Sequence, residues 1–375
     1  MTNFIDRFFS KKIENPNSVL FYVSFFLISL SRMLQSSGLV EIPESIMDVF
    51  MVFACVLLLL KIMFDKTGAK RLLIKILVIL MVILLRTFGL PMPIVSSCFA
   101  FLAMEKVNIK TVIKIDLLVK CAFFIFSAIV FGADYFTGQE RVAEYIFEAK
   151  KGTAVALYFK NPNTTGLVGT MIALDLLYLK DNKKFRDFVF PTLIAVATFA
   201  LTTSRAPFLV YCVYLLLQLI KNGKVLTIIQ KLTYPVLFGF TFYVVNSVPV
   251  GSSMYRILNP LLSSRIWYSI VAYNSAGLTI LPSLANTILL KNYIIDIFYV
   301  RCIVRYGLIT LLLYYIPHLM LPTNATNEQK RMSIIASVYL FFEDAVSNVG
   351  FAIPYLIIAD AIFNKKEIPD GKNKK

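Results

Sequence analysis

The stretches FMVFACVLLLL (50–60) and ILVILMVILL (76–85) decide the fold. Neither carries a charge, and each sits in a longer apolar run of about 20 residues, the length that crosses the hydrocarbon core of a bilayer. Such runs recur through all 375 residues, 58% of which are hydrophobic, and the mean hydropathy is +0.73. In lipid, a run of this kind satisfies its backbone polar groups only as a helix or a closed barrel. Runs this long predict an all-α polytopic membrane protein. Breaks at Pro, Gly and charge clusters predict spans near 17–35, 44–64, 72–90, 91–105, 113–132, 163–180, 188–204, 206–220, 228–248, 294–320, 332–345 and 349–364. That is twelve spans in one integral membrane domain covering 1–375, with no room for a soluble domain of ordinary size.

Charge orients the spans. With a cytoplasmic N-terminus, the inner segments collect 22 lysines and four arginines, and everything else holds four lysines and eight arginines. The positive-inside bias then holds at every inner turn, and an even number of spans makes both termini cytoplasmic, including the lysine-rich tail 365–375. Two longer segments, about 133–162 and 249–293, are external and long enough for short helices. The net charge of +16 follows from this distribution, which argues against a nucleic-acid partner. Five cysteines lie within apolar runs without CxxC spacing, so neither a disulfide framework nor a metal site is expected. The N-terminus lacks a compact signal-peptide core, so the first apolar segment is expected to stay as a helix. A span of about fifteen residues reaches only about 22 Å of a core roughly 30 Å thick. The turns TTSRAP (202–207) and RTFGLPMP (86–93) are therefore expected below the surface, against protein or a wet cavity.

The arginines outside the inner segments are the chemical signal. Arg86, Arg205, Arg256, Arg265, Arg301 and Arg305 keep their charge in poorly solvated places and offer a planar fork to phosphate or carboxylate oxygens. The plainer role is to reach for the interface or pair with Asp134, Asp296, Glu343 or Asp344. In LSSRIWYSIVAYN (262–274), Arg265 stands beside Trp267, Tyr268 and Tyr273, a combination that suits a sugar chain and equally suits an interfacial aromatic belt. Asn161 and Asn163 flank Pro162 before a helix, as caps or as part of an anion site at the helix N-terminus.

Taken in order, KNPNTTG (160–166), LTTSRAPFL (201–209), LSSRIWYS (262–269), IIDIFYVRCIVRYGLI (294–309) and FFEDAVSN (341–348) resemble the Wzy-type polysaccharide polymerases of the O-antigen ligase and polymerase superfamily. The fourth segment carries that family's D-x-x-Y-x(6)-Y-G pattern as Asp296, Tyr299, Tyr306 and Gly307. In the third segment, Ser264 departs from the family's loop motif, standing where a glycine often precedes the loop arginine. The resemblance implies a GT-C-like membrane glycosyltransferase of the bacterial cell membrane. Its substrates would be lipid-linked oligosaccharide repeat units, with transfer of a growing chain from undecaprenyl pyrophosphate at the outer face and with chain-length regulator and flippase proteins as possible partners beside membrane lipids. It places Arg205, Arg265 and Arg305 on the departing pyrophosphate, with Asn161, Asn163, Trp267 and Tyr306 lining the substrate site; Arg86, which lies before the matched stretch, joins them as an outer arginine. The only histidine, His318, is expected at an inner helix end, which leaves Glu343 first and Asp296 second as the base for the acceptor hydroxyl. A salt bridge to an outer arginine is the alternative role for either acid. No metal or other cofactor is expected, because the arginines already neutralise the pyrophosphate. A ligase acting on another acceptor, or a flippase or transporter of the same lipid-linked glycan, are the alternatives. No internal repeat supports the transporter.

Overall fold

A computed structural model describes residues 16–39, 42–149, 152–262, 264–343 and 353–364, and these are nearly all α-helical. The first half contains α1 (Ser18–Ser36), α2 (Glu44–Phe64), α3 (Ala69–Thr87), α4 (Met92–Leu102) and α5 (Ile109–Phe136). A short 3-10 turn (Glu140–Tyr145) then leads into an antiparallel hairpin, β1 (Ile146–Ala149) with β2 (Gly152–Val155), in which Ile146 pairs with Val155. Next come α6 (Pro162–Leu179), α7 (Phe185–Thr202), α8 (Arg205–Leu219) and α9 (Gly223–Ser247). Three short helices, α10 (Ser253–Leu261), α11 (Arg265–Ala276) and α12 (Leu284–Leu289), occupy the second long segment. The chain finishes with α13 (Phe298–Arg301), a π turn (Cys302–Tyr306), α14 (Leu308–Met320), α15 (Asn327–Phe342) and α16 (Ile353–Phe363). The expected tail at 365–375, Asp344 and the start of the last expected span lie outside the described residues.

Five helices are long and apolar enough to cross a membrane: Ser18–Ser36, Ser45–Phe64, Ile109–Phe136, Phe185–Thr202 and Gly223–Ser247. The chain is a helical, membrane-embedded protein, but the count of twelve full spans does not carry over. Helices Met92–Leu102, Arg205–Leu219, Leu308–Met320 and Ile353–Phe363 are apolar but fall short of the roughly 20 residues that a full crossing takes. Helix α3 includes Lys70, Arg71, Lys75 and Arg86, and α15 opens on NEQKR. The segment 294–320, read as one span, is two helices parted at Gly307.

Helices α15 and α16 are buried nearly all round, and α15 packs against α8, α9 and α16. Around this centre, α2, α3, α7 and α9 turn apolar side chains outward, among them Phe53, Leu77, Leu80, Phe190, Leu193 and Val236. An apolar surface of this extent would drive aggregation in water; lipid solvates it. Where α6 meets α7, the backbones approach over small residues. A Cβ on Gly169 would overlap the Thr198 side chain of α7, and one on Gly166 would come within 2.8 Å of the Ser204 side chain in the turn after α7, which is why TTGLVGT (164–170) has glycine at both places.

Polar contacts sort the helix ends into two groups. At one end, Lys75 pairs with Glu105 at 2.7 Å, Lys110 with Asp181 at 2.6 Å and Lys183 with Glu328 at 2.6 Å, while Arg331 donates to the Leu217 and Ile220 carbonyls. Thus the start of α15 lies against the finish of α8 and the turn after α6. Antiparallel packing then carries Glu343, Arg205 and Asn161 together to the opposite end, where Tyr273 also donates to Asn246 at the finish of α9. Both long segments lie at that arginine-bearing end.

Candidate functional site

Arg265 joins the two acids that the sequence singles out. It opens α11, and its Nε donates to Asp296 Oδ2 at 2.9 Å while Nη2 donates to Glu343 Oε1 at 2.5 Å. The three come from separate elements: the first turn of α11, the extended link before α13 and the residue that ends α15. Arg265 is aimed by its backbone. Ser264, the residue before α11, has φ +67, so the chain makes a left-handed turn that brings Arg265 inward. That conformation favours glycine, so the serine there is held against its own backbone preference.

Burial sets the electrostatics. Glu343 is 14% exposed at its side chain and Asp296 29%. Burial pushes the Glu343 carboxyl up to about 7, against the opposing pull of Arg265, with Asp296 adding to the rise and Arg301 acting against it. Burial also works against the charge of Arg265, but the two carboxylates outweigh it and hold the guanidinium above its ordinary value. With both acids ionised the triad is net negative; with Glu343 protonated it is neutral. A carboxyl titrating near neutrality within reach of a fixed cation has the properties of a general base. A surface salt bridge would show no such rise.

Around the triad, a broken helix holds the loop. Arg301 donates to the Ile295 carbonyl and, at 3.2 Å, to the Tyr306 hydroxyl, clamping the link that carries Asp296. Arg305 donates to the carbonyls of Leu290 and Tyr293. The π turn frees carbonyls that a regular helix would consume. The external segment fills them: Thr279 N donates to Ile303 O at 2.8 Å, Ser283 N to Arg305 O at 2.8 Å and Asn286 Nδ2 to Val304 O at 2.9 Å. In return, Leu308 N donates to Thr279 O and Ile309 N to Ile280 O. Gly307 has φ +79, and a Cβ there would stand 2.6 Å from Ile280 O and 2.8 Å from Leu281 Cα. The Tyr-Gly pair at 306–307 therefore ends one helix and admits the loop backbone.

A second group lies at the same end. Asn161 caps α6, accepting from Thr164 N at 2.8 Å, and Asn163 Oδ1 accepts from Ser204 Oγ at 2.9 Å. The turn TTSRAP is tight, with Thr203 at φ +52, and it starts α8 with Arg205 exposed at the helix N-terminus. Two helix N-termini and an exposed guanidinium thus stand side by side, an arrangement that attracts anions.

The remaining expected residues fall elsewhere. Arg86 is exposed and donates to the Leu90 carbonyl at 3.1 Å within its own turn. Trp267 is 42% exposed and stacks edge-on to Tyr268. Two positions from Arg265 on a helix means about 200° of rotation, so Trp267 faces away from the triad. Arg305 is committed to loop carbonyls, because the π turn points its side chain at the 290–293 segment; Tyr306 is buried under Arg301. His318 is buried beside Ser333 and away from the triad, as expected. Arg301 belongs to the cluster, and its signal was its place among the arginines of the fourth motif. Among the described residues, no three His, Cys, Asp or Glu side chains gather to hold a metal ion. No protein-family model, curated protein or solved structure matches the chain.

Proposed function

We propose that this chain is a membrane glycosyltransferase of the Wzy-polymerase type. In this reading it moves a growing oligosaccharide from undecaprenyl pyrophosphate to the hydroxyl of an incoming lipid-linked repeat unit, at the outer face of a bacterial cell membrane. On the same reading the arginine-bearing end is the outer one and both termini are cytoplasmic. The observation that carries the reading is the Arg265 bridge between Asp296 and Glu343, at the same end as the exposed Arg205. Glu343 takes the proton of the acceptor hydroxyl, and Arg265 and Asp296 hold it in place. Arg205 and the N-terminus of α6 receive the departing pyrophosphate, whose negative charge grows in the transition state. Arg265 then orients the base, a role distinct from the phosphate contact that the resemblance implied.

A strain lacking the gene is expected to lose the high-mass glycan ladder and to retain single repeats on the outer leaflet. Arg205→Lys is expected to restore the protein but little of the ladder, because an ammonium cannot offer the planar fork. A normal ladder from Arg205→Lys at matched protein level would remove the pyrophosphate role. One observation favours the flippase instead: α13 and α14 form a broken helix, a device transporters use. Accumulation of repeats on the inner leaflet would decide for it.

A further inference from the structure

Away from the arginine-bearing end, a charged group lies fully inside the helix bundle. Asp116 and Lys120, one turn apart on α5, form an ion pair with no exposure on either side chain. Asp175 on α6 is 1% exposed and stands 3.8 Å from the Lys120 ammonium. From α1, Ser29 donates weakly to Asp116 at 3.4 Å. Neither carboxylate oxygen of Asp175 meets a hydrogen-bond donor among the described residues, and Asp116 and Asp175 face the same Lys120 ammonium. Among the described residues, Cys121 on α5 and Tyr339 on α15 are the other titratable side chains near Asp175, and a thiol and a phenol are ordinarily neutral near pH 7.

Two carboxylates against one ammonium leave an unbalanced negative charge where water does not reach, and an uncompensated charge in such a place is far too costly to persist. One monovalent cation must complete the site. A sodium ion would need a shell of several oxygens, whereas this site offers few and places an ammonium among them. A proton needs only the two facing carboxyl groups, and it supplies the donor that Asp175 lacks. We propose that Asp116 and Asp175 share an exchangeable proton, making with Lys120 a proton-binding site within the membrane-embedded bundle. The inference does not rest on the reading of the glycan site.

Infrared difference spectroscopy of the purified full chain in lipid tests this. Near neutral pH the wild type is expected to show the carbonyl stretch of a protonated carboxylic acid, shifted by carboxyl-13C aspartate and by transfer to D2O. The band is expected to disappear reversibly at alkaline pH and to be absent from Asp175→Asn, while Glu343→Gln leaves it in place. The aspartate label makes the result readable from wild-type protein alone, even if Asp175→Asn fails to fold. Absence of an aspartate-derived band from mildly acid to mildly alkaline pH would overturn the proposal, as would a band that D2O does not shift.

Discussion

Glu343 combines two properties that seldom coincide, burial and a cation within hydrogen-bond distance, and their balance sets when it can accept a proton. A base must be ionised, so with its carboxyl near 7 the rate should fall as pH drops through about 7 and level off above it. Glu343→Gln is expected to lower kcat/KM by about 10²-fold or more and to remove that acidic limb, measured on purified protein with lipid-linked repeats. Arg265 pulls the Glu343 value down, so Arg265→Met should move the limb toward alkaline pH, while Arg265→Lys should move it less. A limb that stays fixed in Arg265→Met would mean that Glu343 is not the titrating group. Ser264 offers a test that leaves chemistry untouched. A left-handed conformation costs a residue with a side chain roughly 1–2 kcal/mol relative to glycine, so Ser264→Gly should raise the thermal transition with little change in rate. A lower transition would mean that the serine side chain supplies something the φ angle does not reveal. The Asp296–Arg265–Glu343 contacts were legible only as a list of candidate partners, because residues 31 and 78 positions from Arg265 are joined by packing and no local rule pairs them.

The broken helix at 298–320 is the element that ties the external segment to the bundle. Its π turn leaves carbonyls for residues 279–286, and Gly307 makes the space through which that backbone passes. Gly307→Ala adds a methyl against Ile280 and Leu281 at a φ that alanine resists, a cost of roughly 1–3 kcal/mol before any overlap is relieved. The expected outcome is faster proteolysis between 276 and 291 and loss of activity, with the lipid-embedded helices intact by circular dichroism. Unchanged proteolysis would mean that the loop is held by α11 and α12 alone. Hydropathy reads 294–320 as one run because every residue from Ile297 to Val300 and from Leu308 to Leu313 is apolar or weakly polar. The break depends on a backbone conformation and on the distant partners Ile280 and Leu281, and neither is written in composition.

At the scale of the molecule, the arrangement is two-ended: lysine-rich ion pairs at one end, and arginines, loops and the acid pair at the other. Cysteines placed singly at Glu140 and Ser275 should label with an impermeant reagent on intact cells, while those at Lys184 and Asn324 should label only after permeabilisation. External labelling at Lys184 would reverse the orientation and place the Arg265 triad inside. The sequence by itself determined the solvent and the helical class, since apolar runs this long read as helices in lipid and their flanking lysines mark the ends. It also marked the arginine motifs, the Asn161 cap and the tight turn before Arg205, because helix starts and turns are local, but the packing that sets Asn163 against Ser204 joins positions 41 apart. The number of full crossings was not determined, because a short apolar helix reads alike whether it spans lipid or is buried among its neighbours, as α4 and α16 are. Only the tertiary structure could show which acid meets which guanidinium and bring Asp175 against Asp116. Those contacts join distant positions, and their energies arise from a shared low-dielectric interior that exists only once the helices have packed.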